Sequence, residues 1–236
     1  MRIEVDPARL AICAELPAAM TNAARAAWLR SEGRSRCPVT WSAAPETIAA
    51  AGQARAGDEI ALAIDPAWLD SRRTLRERIA DARRSLPELG SAVLRGPRPL
   101  EHHALLAEEG IRVVLVDVFG AEPRGGRRPP PRGWDCRNPV WGLWEVKAAP
   151  ESGRGPLGWL TGGLTRPRPG SLRILQVGRV PIGPTGPAST RLDRFSAWAE
   201  RRQAGSGVRP VRLADLSAVL AGGSDAAVAG SILKAA

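Results

Sequence analysis

The chain has 236 residues, of which 44% are hydrophobic, so it is long enough to bury a sizeable core. No run approaches the roughly 18 consecutive apolar residues that a membrane-spanning helix needs. The first residues, MRIEVDPARLAICAELP, lack the charged head and apolar stretch of a signal peptide. We therefore expect a cytoplasmic protein that does not enter a membrane.

A formal net charge of +10 raises the possibility of nucleic-acid binding. However, Lys147 and Lys234 are the two lysines, so 32 of the 34 basic residues are arginine. Tyrosine is absent, and abundant Ala, Gly, Pro and Arg are typical of a GC-rich genome. Bases stack on exposed aromatic side chains, and here there are two Phe and eight Trp. An Arg-rich nucleic-acid binder stays an alternative, but not the favoured one.

The three cysteines, Cys13, Cys37 and Cys136, are far apart in the sequence and form no CxxC pair. This spacing supports neither a zinc ribbon nor a disulfide framework. We expect free thiols, no bound metal and no cofactor.

Strands and helices alternate through the first half of the chain. The predicted strands are Leu10–Ala14, Pro38–Trp41, Glu59–Ile64, Ala92–Leu94 and Val113–Val118. The predicted helices are Thr21–Arg30, Pro45–Ala54, Leu69–Leu86 and Leu100–Glu109. In the third helix Leu75, Ile79, Ala82 and Leu86 share one face, and its arginines lie mostly elsewhere on the wheel.

Two stretches rich in Gly and Pro interrupt the second half, Gly120–Pro139 and Ala149–Gly170. The regular elements predicted there are the strands Val140–Val146, Leu172–Val177 and Val208–Arg212, and the helices Arg191–Gln203 and Leu213–Leu220. Repeated strand–helix units indicate a parallel sheet or barrel covered by helices. We expect one α/β domain over residues 1–222 and a loosely held tail over 223–236. Gly125-Gly126 and Gly162-Gly163 do not lie between a strand and a helix, so dinucleotide binding is not expected.

Several short segments match, in order, the motifs of one enzyme family. The first of these motifs is Asp-Asp-Gly-Pro, which corresponds here to Ile12-Cys13-Ala14-Glu15-Leu16-Pro17. The second begins with Gly-His-Glu-Ile-Gly, which corresponds to Gly57–Ala61. Leu94–Pro97 is similar to an Arg-x-Pro turn, and Gly142–Val146 to a Gly-Leu-x-Glu-Ile strand. In this order the chain resembles the polysaccharide deacetylases of NodB type, carbohydrate esterase family 4, from about Leu10 to Leu220. The resemblance implies a distorted, incomplete (β/α) barrel.

The same resemblance implies that the chemistry of the family is lost. Ala14 takes the place of the catalytic base and Glu15 that of a metal ligand, while Ala63 and Ala67 take the places of two metal-binding histidines. Gln176 replaces the histidine that serves as general acid. Deacetylation by this route needs a metal, a base and an acid together, and alanine offers a metal no lone pair.

The candidate ligand-binding residues are those near strand ends and turns. They are Glu15, Arg95, His102, His103, Asp117 and Trp144. His102 and His103 are adjacent on a helix, about 100° apart, so the pair does not readily face one metal. Five carboxylates lie near strand ends: Glu15, Asp58, Glu59, Asp65 and Asp117. A cluster of carboxylates suits Mg²⁺ or Ca²⁺, but a solvated surface position is the more common one for such residues.

The sequence thus favours a deacetylase-like pseudoenzyme that binds a carbohydrate-type small molecule or a protein partner in the remnant cleft. An active hydrolase of carbon–nitrogen bonds with relocated ligands is the first alternative.

Overall fold

The computed structural model describes residues 7–16, 21, 37–51, 57–96, 99–116, 136–148, 170–177, 187–204 and 207–222. The predicted helix Thr21–Arg30, most of the two Gly/Pro-rich stretches and the tail over 223–236 lie outside the described residues.

The described strands are, in chain order, β1 (Ala8–Glu15), β2 (Thr40–Ala43), β3 (Glu59–Ile64), β4 (Ser91–Leu94), β5 (Val113–Val116), β6 (Cys136–Val140), β7 (Leu143–Lys147), β8 (Leu172–Val177) and β9 (Val208–Pro210). The helices are α1 (Pro45–Ala51), α2 (Arg72–Ser85), α3 (His103–Glu108), α4 (Pro187–Ala204) and α5 (Leu216–Gly222), with a short 3₁₀ helix over Pro66–Asp70.

All nine of these strands belong to one sheet. Eight of them follow the order β6-β7-β5-β4-β3-β2-β1-β8, and β9 pairs with β1. Every pairing is parallel except the β6–β7 hairpin. On the side of β1 away from β8, β9 pairs with Ala8–Leu10 and β2 with Cys13–Glu15. No pairing joins β6 to β8 within the described residues, so the sheet is open there. The predicted α/β class is confirmed as a mixed fold with a curled sheet, and a complete barrel is not present in the described strands.

The sheet has two buried faces, because side chains alternate along each strand. Leu10, Ile12 and Ala14 of β1 belong to the larger core cluster, which includes buried residues of α1, α2, α3 and α4. We call this the helix-covered face. Ala11 and Cys13 belong to a second cluster with Ala61 and Val93, and here the covering residues come from the segment after β9. We call this the inner face.

Helix α2 shows the match between sequence pattern and burial. Leu75, Ile79 and Ala82 are buried, as the helical spacing predicts. The predicted single helix Leu69–Leu86 is divided, because Ser71 has extended backbone angles and its side chain accepts a hydrogen bond from the Thr74 amide. Residues before Ser71 form the 3₁₀ helix, which begins at Asp65 and Pro66.

The prediction of one strand over Val140–Val146 is wrong. The chain instead forms an antiparallel hairpin, in which residues 141 and 142 make the turn between β6 and β7. Gly142 has a φ of +83°, a conformation that residues with a Cβ rarely adopt. The apolar run therefore contains a turn, and β6 extends back into the stretch that was expected to be irregular.

Candidate functional site

Glu15 and Arg95 meet at the end of the sheet where β1 to β4 finish, which we call the carboxyl edge. Glu15 is the last residue of β1, and Arg95 follows β4, with its amide donating to the Ile64 carbonyl at 3.1 Å. An Arg95 terminal nitrogen lies 2.6 Å from Glu15 Oε1. Because β2 and β3 lie between the two strands, three inter-strand spacings separate β1 from β4. The curl of the sheet brings the two side chains together on its inner side. Carboxyl ends of parallel strands are where α/β proteins place their ligands.

The guanidinium of Arg95 is not fully satisfied by Glu15. Its Nε is buried and has no hydrogen-bond acceptor among the described residues. Both side chains keep partial exposure, 40% for Arg95 and 27% for Glu15, so the pair is open to solvent. The next residue, Gly96, has a φ of +84° and turns the chain away from the strand end. The pair therefore presents a carboxylate and a guanidinium whose donors are not used up.

Small side chains lie beside this pair on the inner face. Glu15 is in register with Ser42, and Ser42 with Ala61 on β3. Ala63, two residues further along β3, points to the same face as Ala61, since side chains alternate. Ser42, Ala61 and Ala63 are all buried. The residues nearest the pair in the sheet are thus small ones.

The positions implied by the family resemblance do not all meet. Ala14 is 2% exposed and lies in the cluster of the helix-covered face, opposite to Glu15. Ala63 faces inward, whereas Ala67 is exposed on the 3₁₀ helix. Gln176 of β8 is in register with Cys13 and so shares the inner face. The structure therefore divides the four positions between two faces of the sheet and a surface helix.

His102 and His103 both lie away from the Glu15–Arg95 pair. His102 caps the start of α3 with a φ of +58°, and its Nε2 lies 3.1 Å from the Leu69 carbonyl oxygen. His103 Nε2 lies 2.6 Å from Oε1 of Glu145. The two imidazoles thus have different partners and do not share a site, as expected from their adjacency.

Glu145 is fully buried and receives two hydrogen bonds on the helix-covered face. Besides His103, the Arg137 Nε donates to its Oε2 at 2.5 Å. Burial alone would raise the pKa of Glu145, but the hydrogen bonds and charges of His103 and Arg137 outweigh it and hold the pKa below its usual value. This cluster joins α3, β6 and β7, and sequence reasoning missed it. The available signal was one acidic residue within the apolar strand Leu143–Lys147.

The remaining candidates are not brought to the carboxyl edge. Asp117 lies outside the described residues. Trp144 is half-buried against the inner-face cluster, one residue after β7 begins. Trp141, in the hairpin turn, is 97% exposed.

Most of the arginines of α2 are paired with carboxylates. Arg72 and Arg76 both contact Glu108 of α3, at 3.1 and 3.3 Å, and Arg76 also contacts Glu109 at 3.1 Å. Within α2, Arg73 pairs with Glu77, and Arg84 with Asp81. These arginines are therefore partly neutralised by their neighbours, which does not favour the nucleic-acid alternative on this helix.

No group of three or more His, Cys, Asp or Glu side chains suited to a metal occurs in the part of the chain that the structure describes. Cys13, Cys37 and Cys136 form no disulfide with one another, and Cys13 and Cys37 are buried. Among the described helices, none is both long and apolar enough to cross a membrane.

The chain matches no family model and no curated protein. Among solved structures, it is similar to an uncharacterized protein from Agrobacterium tumefaciens C58. The similarity covers 92% of each chain, with 13% sequence identity and a TM-score of 0.47.

Proposed function

We propose that this chain is a deacetylase-like pseudoenzyme that binds a carbohydrate-type small molecule at the carboxyl edge, through Glu15 and Arg95. The observation that carries the proposal is the pair itself, with the buried Arg95 Nε, which has no acceptor among the residues that the structure describes. Sugar hydroxyl and amide groups need both a donor and an acceptor, and a guanidinium beside a carboxylate offers both.

Loss of catalysis is the second part of the proposal. Alanine occupies positions 14, 63 and 67, and glutamine position 176, where the resemblance implies acid–base and metal-binding groups. Neither residue type transfers a proton near neutral pH, and a hydrolytic metal needs imidazole or carboxylate ligands. Binding without turnover is the activity that these residues support.

The test uses N-acetylglucosamine and its β-1,4-linked tetramer as probes, because the resemblance implies acetylated amino sugars. Calorimetry or NMR titration should detect saturable binding by the parent chain. Arg95→Gln and Glu15→Gln each remove a hydrogen bond to a charged group, worth about 1.5–3 kcal/mol, so each should weaken binding about 10- to 100-fold. Arg84→Gln, an exposed change on α2, is the matched control and should bind as the parent does.

Three outcomes would decide against the proposal. If the parent binds neither probe, or if Arg95→Gln and Arg84→Gln behave alike, the carboxyl edge is not a sugar site. If the parent releases acetate from the tetramer, the alternative of an active hydrolase with relocated ligands replaces the pseudoenzyme.

A further inference from the structure

Two arginines occupy one register position on the paired strands β1 and β9. The two strands run parallel, and Arg9 lies directly opposite Arg209 in their pairing. Residues opposite each other in a parallel pair point to the same side of the sheet, and neighbouring strands lie about 4.8 Å apart. Both arginines lie at the starts of their strands, at the edge opposite the carboxyl edge. We call them the amino-edge arginine pair.

The pair projects from the inner face of the sheet. Along β1, Arg9 shares its side with Ala11, a member of the inner-face cluster. The hydrogen-bonded path of β9 continues to Val211, so Arg209 shares its side with that residue, which belongs to the same cluster. Residues 211–216 follow β9 and cover the inner face further along β1, and we call them the C-terminal segment.

The inner-face positions around the pair are apolar. On the side of β1 away from β9, the residue in register with Arg9 is Leu172 of β8, which packs against the inner-face cluster. The next inner-face positions along β1 and β9 are Ala11 and Val211. None of these side chains carries a charge that would offset the two guanidinium groups. The pair is therefore a local concentration of positive charge beside apolar surface.

Arg209 in particular has its donors open to solvent. It is exposed, and no carboxylate among the described residues forms an ion pair with it. The acidic residue of the C-terminal segment, Asp215, is bound by Arg212, with contacts of 2.9 and 2.7 Å. Like charges directly opposite each other on paired strands repel and destabilise the sheet. An anion that contacts both guanidinium groups removes this repulsion.

We propose that the amino-edge arginine pair binds the phosphate group of a phosphorylated small molecule, a phosphate monoester. Guanidinium groups match the geometry of phosphate oxygens and contact them through pairs of N–H donors. A phosphate monoester has a charge of about −1.5 to −2 at pH 7, which matches two arginines. A phosphodiester of a nucleic acid carries a single charge per phosphate and neutralises the pair less well.

This site is separate from the Glu15–Arg95 pair. Arg9 lies near the start of β1 and Glu15 at its end, a distance of roughly 20 Å along an extended strand. The two sites therefore bind their ligands independently, and a result at one edge of the sheet does not decide the other.

Thermal unfolding and calorimetry on the full chain test the site, with inorganic phosphate and phenyl phosphate as probes at constant ionic strength. A ligand that binds the folded state raises the Tm, so both probes should stabilise the parent. Arg209→Gln removes charged hydrogen bonds to the phosphate and should weaken the affinity at least about tenfold. Arg84→Gln removes the same charge from an exposed arginine that is paired with Asp81, and it should bind as the parent does.

A second readout separates binding from a merely structural role. Without phosphate and at low ionic strength, Arg209→Gln removes the repulsion within the pair, so its Tm should be at least that of the parent. Raising the concentration of phenyl phosphate should then reverse the order, because the parent is stabilised more than the variant. Acetate at the same ionic strength should not reverse it.

The proposal is overturned if parent and Arg209→Gln bind phenyl phosphate equally, or if acetate stabilises the parent as much as phenyl phosphate does. It is also overturned if a single-stranded oligonucleotide binds more tightly than phenyl phosphate and Arg209→Gln weakens both, because the pair is then a nucleic-acid contact. A lower Tm of Arg209→Gln without phosphate would show that the arginine only stabilises the fold.

Discussion

Replacing Glu145 by glutamine tests the buried cluster that joins α3 to the β6–β7 hairpin. The carboxylate is fully buried and accepts from His103 at 2.6 Å and from Arg137 at 2.5 Å. A glutamine side chain of the same shape has one oxygen, so it can accept from one of these donors and turns an amide NH₂ toward the other. One buried donor left without an acceptor costs about 1–3 kcal/mol.

The cost of leaving one donor without an acceptor depends on how exposed the side chains of His103 and Arg137 are. The side chains of His103 and Arg137 are 25% and 40% exposed, so the donor that loses its acceptor can still turn toward water. We therefore expect Glu145→Gln to lower the free energy of unfolding by about 1–2 kcal/mol at pH 7. For a urea m value of about 3 kcal/mol/M, the midpoint falls by about 0.3–0.7 M.

The pH dependence gives the prediction its second readout. The pKa of Glu145 is lowered in the folded chain, so its contribution is complete above the ordinary glutamate pKa of about 4.3 and is lost as the pH falls through the lowered value. The difference between parent and variant should therefore shrink below about pH 4. Urea unfolding measured at pH 7 and at lower pH, with Glu88→Gln as the control, gives both quantities. A difference under about 0.3 kcal/mol at pH 7, or one that grows with acidity, would refute the reasoning.

Two further predictions concern the two faces of β1 and the positive charge of the chain. Ala14→Asp places a carboxyl group among the apolar residues of the helix-covered face and should destabilise the fold by about 3 kcal/mol or more in urea unfolding, whereas Glu15→Asp should cost less than about 1 kcal/mol. Equal losses would contradict their placement on opposite faces. Binding to duplex DNA, measured by fluorescence anisotropy, should be weak, insensitive to sequence and nearly gone at about 200 mM salt. Tight binding that survives this salt concentration would restore the nucleic-acid alternative.

Much of the sheet could be predicted from the sequence because its strands are short apolar runs bounded by turn residues. Glu59–Ile64 and Leu172–Val177 have the predicted bounds. The hairpin could not be predicted in this way, since Pro139 lies within β6 and Trp141-Gly142 interrupts what reads as one apolar run. The turn between the two antiparallel strands depends on the positive φ of Gly142. A hydrophobic pattern does not indicate backbone angles, so it does not predict this turn.

The carboxyl edge was predictable in part, because the ends of parallel strands meet at one edge of a sheet. The sequence places both Glu15 and Arg95 at strand ends, and the structure brings them into contact. For Glu59 the sequence favours a solvated surface position, whereas in the structure its carboxyl group contacts the hydroxyls of Thr40 and Ser91. Its role depends on Ala214, more than 150 residues away in the chain, whose amide reaches it only because β9 returns to pair with β1. Contacts of this kind follow from topology and leave no local pattern in the sequence.

The division between Ala14 and Glu15 explains why the polar side chains near the carboxyl edge lie on the inner face of the sheet. Side chains alternate along a strand, so two adjacent positions in β1 cannot both point to the inner face. Glu15 has the inward position, in register with Ser42, while Ala14 packs beneath the helices. Two residues before Glu15, Cys13 faces the same way and lies beside Thr40, which contacts Glu59. The polar residues of the inner face therefore extend from Glu59, under the C-terminal segment, to the Glu15–Arg95 pair at the carboxyl edge. A ligand bound at the Glu15–Arg95 pair would thus lie on the same surface of the sheet as Glu59 and its partners Thr40 and Ser91.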